Sequence, residues 1–308
     1  MRKIAFILLV VLALPVSGGW HWQQKPMLGQ QIDYSNPLAD GLVGCWLMNE
    51  GTGKCMNLAT ALDGGRHHGT LTGTAPSWQP CRNGPGVYLP GTDEHLDLNS
   101  AIGADFNITN DTDYTIVAGI YCTDAVARYY RNAIVSSDEG RNCVFKLYPW
   151  DDPDYQNHMM LNLKHDDTDV YSNSYIMENT WYDVAATYRG SDHSAILYIN
   201  GVADNSGALD DEYSHPTNAL YIGREARNLQ YWHGYIDYVY IYARTLSSSE
   251  ISLLYREPFC YIKEPFDYKL YGAIGEAPAP TGAQVIIIQM SLLFLIAVPV
   301  YYFRKKWY

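Results

Sequence analysis

Four short segments decide the fold: Trp181-Tyr-Asp-Val-Ala-Ala-Thr-Tyr188, Ala195-Ile-Leu-Tyr-Ile-Asn-Gly201, Leu220-Tyr-Ile-Gly-Arg224, and the longer Gly234-Tyr-Ile-Asp-Tyr-Val-Tyr-Ile-Tyr-Ala-Arg-Thr-Leu-Ser247. Each alternates side chains over a few residues, and each ends at its own glycine or polar turn. A two-residue period with turn residues between segments is the pattern of an antiparallel sheet. Asn200-Gly201 is a hairpin signal, because a type I′ turn needs positive φ at both central positions. After the last segment, Ser247-Ser-Ser-Glu250 reads as a capping box opening a helix whose apolar face is Ile251, Leu254 and Tyr255.

Upstream, Leu42-Val-Gly-Cys-Trp-Leu-Met-Asn-Glu50-Gly-Thr-Gly53, the glycine-rich Arg66-His-His-Gly69 to Trp78, and Gly86-Val-Tyr-Leu-Pro-Gly-Thr-Asp-Glu-His-Leu-Asp-Leu98 precede those strands in order. Together the segments resemble the laminin-G-like, concanavalin-A-like jelly-roll family over residues 41–256. The resemblance implies an all-β body, two antiparallel sheets of five to seven strands each. Trp46, Leu89, Ile116, Val144, Leu161, Val184, Leu197, Ile222, Val239 and Ile241 are its expected core. In such folds function resides in sites carried by the scaffold and is argued separately.

The ends of the chain read differently. Arg2 and Lys3, an apolar run to Val16, and small residues at Val16-Ser-Gly18 have the tripartite form of a secretory signal peptide (1–18). Residues 19–40 form a polar lead-in. Residues 257–282 carry Pro258, Pro265, Pro278 and Pro280 and read as a stalk. Residues 283–303 are uncharged and long enough to span a bilayer. Arg304-Lys-Lys306 follows at once, and basic residues stay on the cytoplasmic side, so 304–308 is a short inner tail. The expectation is an exported, single-pass protein with a C-terminal transmembrane helix and its domain outside.

The chain holds 21 Lys+Arg against 33 Asp+Glu. Five of the basic residues lie in the signal peptide and tail, leaving 16 against 33, a net of −17 for the rest. Such a surface disfavours nucleic acid, whose affinity comes from neutralising phosphates. Cys45, Cys55, Cys81, Cys122, Cys143 and Cys260 are even in number, which in an exported domain favours disulfides. Six cysteines allow fifteen pairings. The family arrangement, which sets the strand ending at Cys122 beside the one opening at Cys143, implies that pair.

Three groups of residues could carry function. The resemblance implies a structural calcium held by Asp237 and by Asn49 and Glu50 of the opening strand, completed by carbonyls and water to about six to eight oxygens. Alternation sets Asp237 on the face of Val239 and Ile241, and the competing reading is an Asp paired with Arg244 or Arg224. Most of the 27 tyrosines fall in strands, where aromatics fill a pleated face. Tyr148, Trp150, Tyr231 and Trp232 fall near loops, with Asp152 and Arg131 as polar neighbours. Rings there can stack on sugars while charged groups bind hydroxyls. His67-His68 reads as a turn element of the glycine-rich loop. The acidic runs 151–154 and 166–169 lack the alternate acids, central Gly and late Glu of an EF-hand.

The carboxylate string of fold-related glycosidases, E-x-D-x-E on one strand, is missing, although hydrolysis needs two carboxylates flanking the bond. The expectation is therefore lectin-like recognition of a glycan without catalysis. A protein-adhesion or viral assembly module, or a glycoside hydrolase, are the competing readings.

Overall fold

The structure is a computed structural model that describes residues 24–109, 111–123, 132–137, 144–147, 158–162, 169–209, 219–225 and 230–263. The chain divides into two units, 1–265 and 266–308. The expected signal peptide, most of the expected stalk, and the segments read as membrane span and tail lie outside the described residues. Among the described residues no helix is long and apolar enough to cross a membrane.

In chain order the strands are β1 (Gln31–Ile32), β2 (Leu42–Trp46), β3 (Thr70–Thr72), β4 (Ser77–Cys81), β5 (Gly84–Pro90), β6 (His95–Ile102), β7 (Tyr114–Cys122), β8 (Asn132–Ser137), β9 (Val144–Leu147), β10 (His158–Asn162) and β11 (Asp169–Tyr175). There follow β12 (Trp181–Arg189), β13 (Ser194–Ile199), β14 (Val202–Ala208), β15 (Ala219–Ile222), β16 (Arg224–Glu225), β17 (Gln230–Tyr231), β18 (His233–Tyr242), helix α1 (Ser248–Arg256) and β19 (Ile262–Lys263). One antiparallel sheet has seven strands in the order β11-β10-β9-β8-β15-β6-β3. The other runs β14-β13-β12-β7-β18-β5-β4 and gains an eighth strand because β2 also pairs with β18. The expected ceiling of seven is exceeded for a simple reason. β18 is ten residues long, and one edge serves β5 at His233–Ile236 and β2 at Val239–Tyr242.

The inner faces of the two sheets meet in the main core, which contains every expected core residue whose side chain is described; Val144 lies outside that set. This is the face-to-face packing of a sandwich, with apolar residues alternating inward. Asn200 and Gly201 have φ of 51° and 77°, as the β13–β14 turn requires. The capping box is present: the Ser247 side chain accepts from the Glu250 backbone N–H, and the Glu250 side chain accepts from that of Ser247. Ile251 and Leu254 are buried, but Tyr255 is exposed rather than part of the apolar face.

A second, smaller core lies on the outer face of the eight-stranded sheet. Val117, Ala185, Tyr198, Tyr238, Tyr240 and Tyr242 point outward and are covered by the lead-in, α1 and the segment through Phe259 and Tyr261. The terminal segments are themselves joined by the β1–β19 pair. Among the described residues these elements cover one part of the outer face, and the part beyond them carries the candidate site.

Candidate functional site

On the uncovered half, four aromatic residues from four neighbouring strands fall in one row. Trp181 of β12 pairs with Tyr121 of β7, Tyr121 with Tyr235 of β18, and Tyr235 with Tyr88 of β5. Tyr121, Tyr235 and Tyr88 flank the inward residues Ile120, Ile236, Val87 and Leu89, and Trp181 shares their face through its pairing with Tyr121, so the pleat turns all four rings outward. Centroids lie 5.2 Å apart for Tyr121–Trp181, 5.6 Å for Tyr121–Tyr235 and 4.8 Å for Tyr88–Tyr235. Trp181 and Tyr235 also stand 6.2 Å apart although β7 separates their strands, so the rings lean together into one connected, half-exposed strip. Burial raises the Tyr235 pKa, with smaller contributions from Tyr88, Cys81 and Tyr121. Its phenol is neutral near pH 7 and can both donate and accept.

Polar groups border the strip. The Arg82 guanidinium, on the β4–β5 turn, lies 5.6 Å from the Trp181 ring centre. It donates to both oxygens of Asp183, at 2.8 and 2.7 Å. Burial alone would lower the Arg82 pKa, but the bonds with Asp183 outweigh it and the net shift is upward. Tyr238 also donates its hydroxyl to Asp183. Gly119, paired with both Asp183 and Tyr238, leaves room for that ring, because a Cβ there would stand 2.7 Å from it. Asn179 is exposed, and its side-chain oxygen lies 3.5 Å from the Tyr121 hydroxyl.

Asp237 does not follow the expected alternation. The register of β18 against β7 slips between Ile236 and Tyr238, so Asp237 is the extra residue of a bulge. It is fully buried, and its Oδ1 lies 2.7 Å from the ammonium of Lys25 rather than near either expected arginine. Burial raises the Asp237 pKa and Lys25 opposes that rise. Lys25 also donates to the Pro85 carbonyl, and its own backbone N–H donates to Asn83 O at 2.8 Å. Asn49 donates to Pro26 O at 2.8 Å and accepts from Gln30, while Glu50 accepts from the Met56 backbone N–H. This arrangement does not fit a calcium ion. A hard dication needs six to eight oxygens, and here an ammonium already stands against the Asp237 carboxylate.

A family profile described as the Concanavalin A-like lectin/glucanases superfamily matches residues 90–252, more than half of the chain. The chain belongs to this family. No curated protein matches it. Among solved structures, the binding domain of Paraclostridial Mosquitocidal Protein 1 is similar at 17% identity and a TM-score of 0.52, over 72% of this chain and 53% of that one. The botulinum neurotoxin serotype C1 binding domain is similar at 13% identity and a TM-score of 0.51, over 71% and 52%. The chain thus spans about half the length of these two. Domain 4 of a GH43 extracellular arabinanase from Geobacillus stearothermophilus, solved with arabinotriose, matches at 16% identity and a TM-score of 0.49, over 69% and 97%.

Within this concanavalin A-like domain the expected ring candidates lie elsewhere. Trp232 is fully buried in the main core and donates its indole N–H to Tyr235 O at 3.2 Å. Tyr231 is also buried, with Arg224 5.9 Å and His95 6.1 Å from its ring. Both are corrected from exposed loop rings to packed ones: Tyr231 ends the β16–β17 ribbon, and the Trp232 backbone N–H donates to Gly223 O at 2.8 Å where its ring enters the main core. Tyr148, Trp150, Asp152, Arg131 and Cys143 lie outside the described residues. Cys122 is buried at the end of β7, while Cys45, Cys55, Cys81 and Cys260 carry free thiols. Strand tyrosines read as packing in the sequence, and Trp181 stands at the start of a strand, so the strip leaves no local mark. Tyr121, Tyr235 and Tyr88 each adjoin an inward aliphatic, but their strands and that of Trp181 become neighbours only in the fold.

Proposed function

We propose that the domain binds glycan on the Trp181–Tyr121–Tyr235–Tyr88 strip without hydrolysing it. The observation that carries this reading is four half-exposed rings in one register row. Sugar rings present apolar C–H faces that stack on aromatics, while hydroxyls need polar partners at the edge. Arg82, Asn179 and the neutral Tyr235 hydroxyl supply those partners. Membership in a lectin and glucanase superfamily agrees with a saccharide ligand.

The nearby carboxylates favour binding over cleavage. Glycoside hydrolysis needs an acid and a base or nucleophile free to exchange protons. Asp183 is held by Arg82 and Tyr238, and Asp237 by Lys25. The exported, membrane-anchored placement read from residues 1–18 and 283–303 would present this strip outside the cytoplasm. A single site should bind in roughly the micromolar to millimolar range, with clustering adding avidity.

The test is a glycan array with the clustered full-length protein, followed by Trp181→Ala and Tyr235→Ala variants. Binding that weakens in both supports the strip. Absence of binding to every glycan would favour protein adhesion or assembly instead. Release of reducing sugar, abolished by a carboxylate substitution, would make the domain a glycosidase.

A further inference from the structure

The loop between β2 and β3 meets the turn after β6 in a cluster with different chemistry. His67 Nε2 lies 2.9 Å from Asp63 Oδ2 and 3.8 Å from Asp105 Oδ2. One ligand-type atom from each residue falls within 4.8 Å of the other two. We infer that Asp63, His67 and Asp105 form a binding site for a divalent cation of the zinc class.

The cluster is held by bonds that leave those atoms facing one another. The His67 carbonyl accepts from the Trp46 indole at 3.2 Å, and the imidazole packs edge-on against Phe106 at 5.5 Å. Phe106 is fully buried, so the ring rests on the core. The Asp105 carbonyl accepts from the Leu62 backbone N–H at 2.7 Å, tying the two loops together. Asp63 uses Oδ1 to accept from the Gly65 backbone N–H at 2.8 Å, which directs Oδ2 to the imidazole.

Gly65 borders the same space. Its φ is not among the positive ones, so its backbone does not demand glycine. A Cβ at this position, however, would stand 2.8 Å from His67 Nε2 and 3.0 Å from Asp63 Oδ2. Glycine keeps clear a space bounded by the ligand atoms themselves.

The donor set selects the metal. An imidazole nitrogen suits zinc, copper and nickel, whereas calcium requires many more oxygens than two carboxylates provide. At zinc–ligand distances near 2.0–2.2 Å, tetrahedral neighbours stand roughly 3.4 Å apart. The 2.9 and 3.8 Å from His67 bracket that spacing and the two carboxylates lie within 4.8 Å of each other, so side-chain rotation would bring the three atoms around one ion. The metal would take the place of the proton between Nε2 and Asp63. Three protein ligands leave a further position for water, as in open rather than closed zinc sites.

The test is calorimetric titration of Zn²⁺ into the chelator-treated full-length protein, prepared without a histidine tag. One zinc per chain should bind at this site and calcium should not compete. His67→Ala, Asp105→Asn and Gly65→Ala should each weaken that binding at least about tenfold, while His68→Ala leaves it unchanged. Thermal melts identify which variants remain folded. Asp63→Asn, at an exposed position, serves as the ligand test if His67→Ala does not fold. Zinc binding undiminished in the folded variants, or no zinc binding by the wild type, would overturn the assignment.

Discussion

Tyr235 and Tyr240 sit on the same strand, point to the same side of the same sheet and have opposite fates. Tyr240 is fully buried, stands 5.6 Å from the Tyr261 ring and donates its hydroxyl to Pro258 O at 3.0 Å. Tyr238 stacks on Tyr240 at 4.8 Å and meets Phe259 at 5.8 Å. Tyr235, on the other side of the Asp237 bulge, shares a half-exposed strip with three other rings. Residue type and alternation are the same on both sides of the bulge. What differs is the cover, because the terminal segments and α1 close one half of the face and leave the other open. An outward aromatic is thus core or site according to what the remainder of the chain lays over it.

The largest expected effects lie in the covered half and at its border. Tyr240→Ala should cost about 3–5 kcal/mol, the range for truncating a buried aromatic, read from denaturant midpoints. A loss of less than about 1 kcal/mol would show that the cover is loose. Lys25→Met should cost a comparable 3–5 kcal/mol by leaving Asp237 buried without its cation. The pH dependence has a definite sign. Burial already raises the Asp237 pKa above 3.8, and removing Lys25 raises it further. A raised carboxyl pKa favours the folded state at low pH and penalises it once the group must ionise. The deficit of Lys25→Met should therefore be greatest near pH 7 and shrink on acidification toward pH 4. A deficit independent of pH would show that Asp237 is not the group left uncompensated.

The open half should respond in the other currency, binding rather than stability. Tyr235→Ala is expected to cost no more than about 1–2 kcal/mol of stability, since its ring buries only part of its surface. The same change should weaken glycan binding about tenfold, a loss of stacking near 1.4 kcal/mol. Equal stability losses for Tyr235→Ala and Tyr240→Ala would erase the distinction between the two halves.

Local and long-range features of this fold differ in how far the sequence shows them. The strand segments, the Asn200-Gly201 turn, the capping box and the described core positions were legible, since period and turn chemistry are local. The strip was not. Trp181, Tyr121, Tyr235 and Tyr88 become a row only through a strand order that places β7 between β12 and β18. Asp237 stood out as an acid in an apolar strand, but its bulge and its partner Lys25, more than 200 residues away, leave no local mark. Trp232 stands beside a loop in sequence, and nothing local reports that its ring packs into the main core.

The smallest expected effect concerns α1, one of the elements that close the covered half. The Ser247 hydroxyl accepts from the Glu250 backbone N–H, while the Glu250 carboxylate accepts from the Ser247 N–H and from Arg244 at 2.7 Å. Ser247→Ala should cost about 1 kcal/mol, the usual loss on removing an N-cap. Partial burial opposes ionisation of Glu250, but its bonds from Arg244 and Ser247 prevail and lower its pKa from 4.5 to about 2. A lowered carboxyl pKa contributes stability that is present above pH 4.5 and lost as pH falls toward 2. Because Glu250 remains open to solvent, that contribution is at most about 1 kcal/mol after screening. Melting curves of the wild type and Glu250→Gln should therefore differ above pH 5 and converge near pH 2. If the helix matters as cover, Ser247→Ala should also speed hydrogen exchange at Tyr240 and Tyr242 while leaving Tyr121 and Trp181 unchanged. Equal acceleration in both halves would mean that the sheet opens as one unit and the cover has no stability of its own.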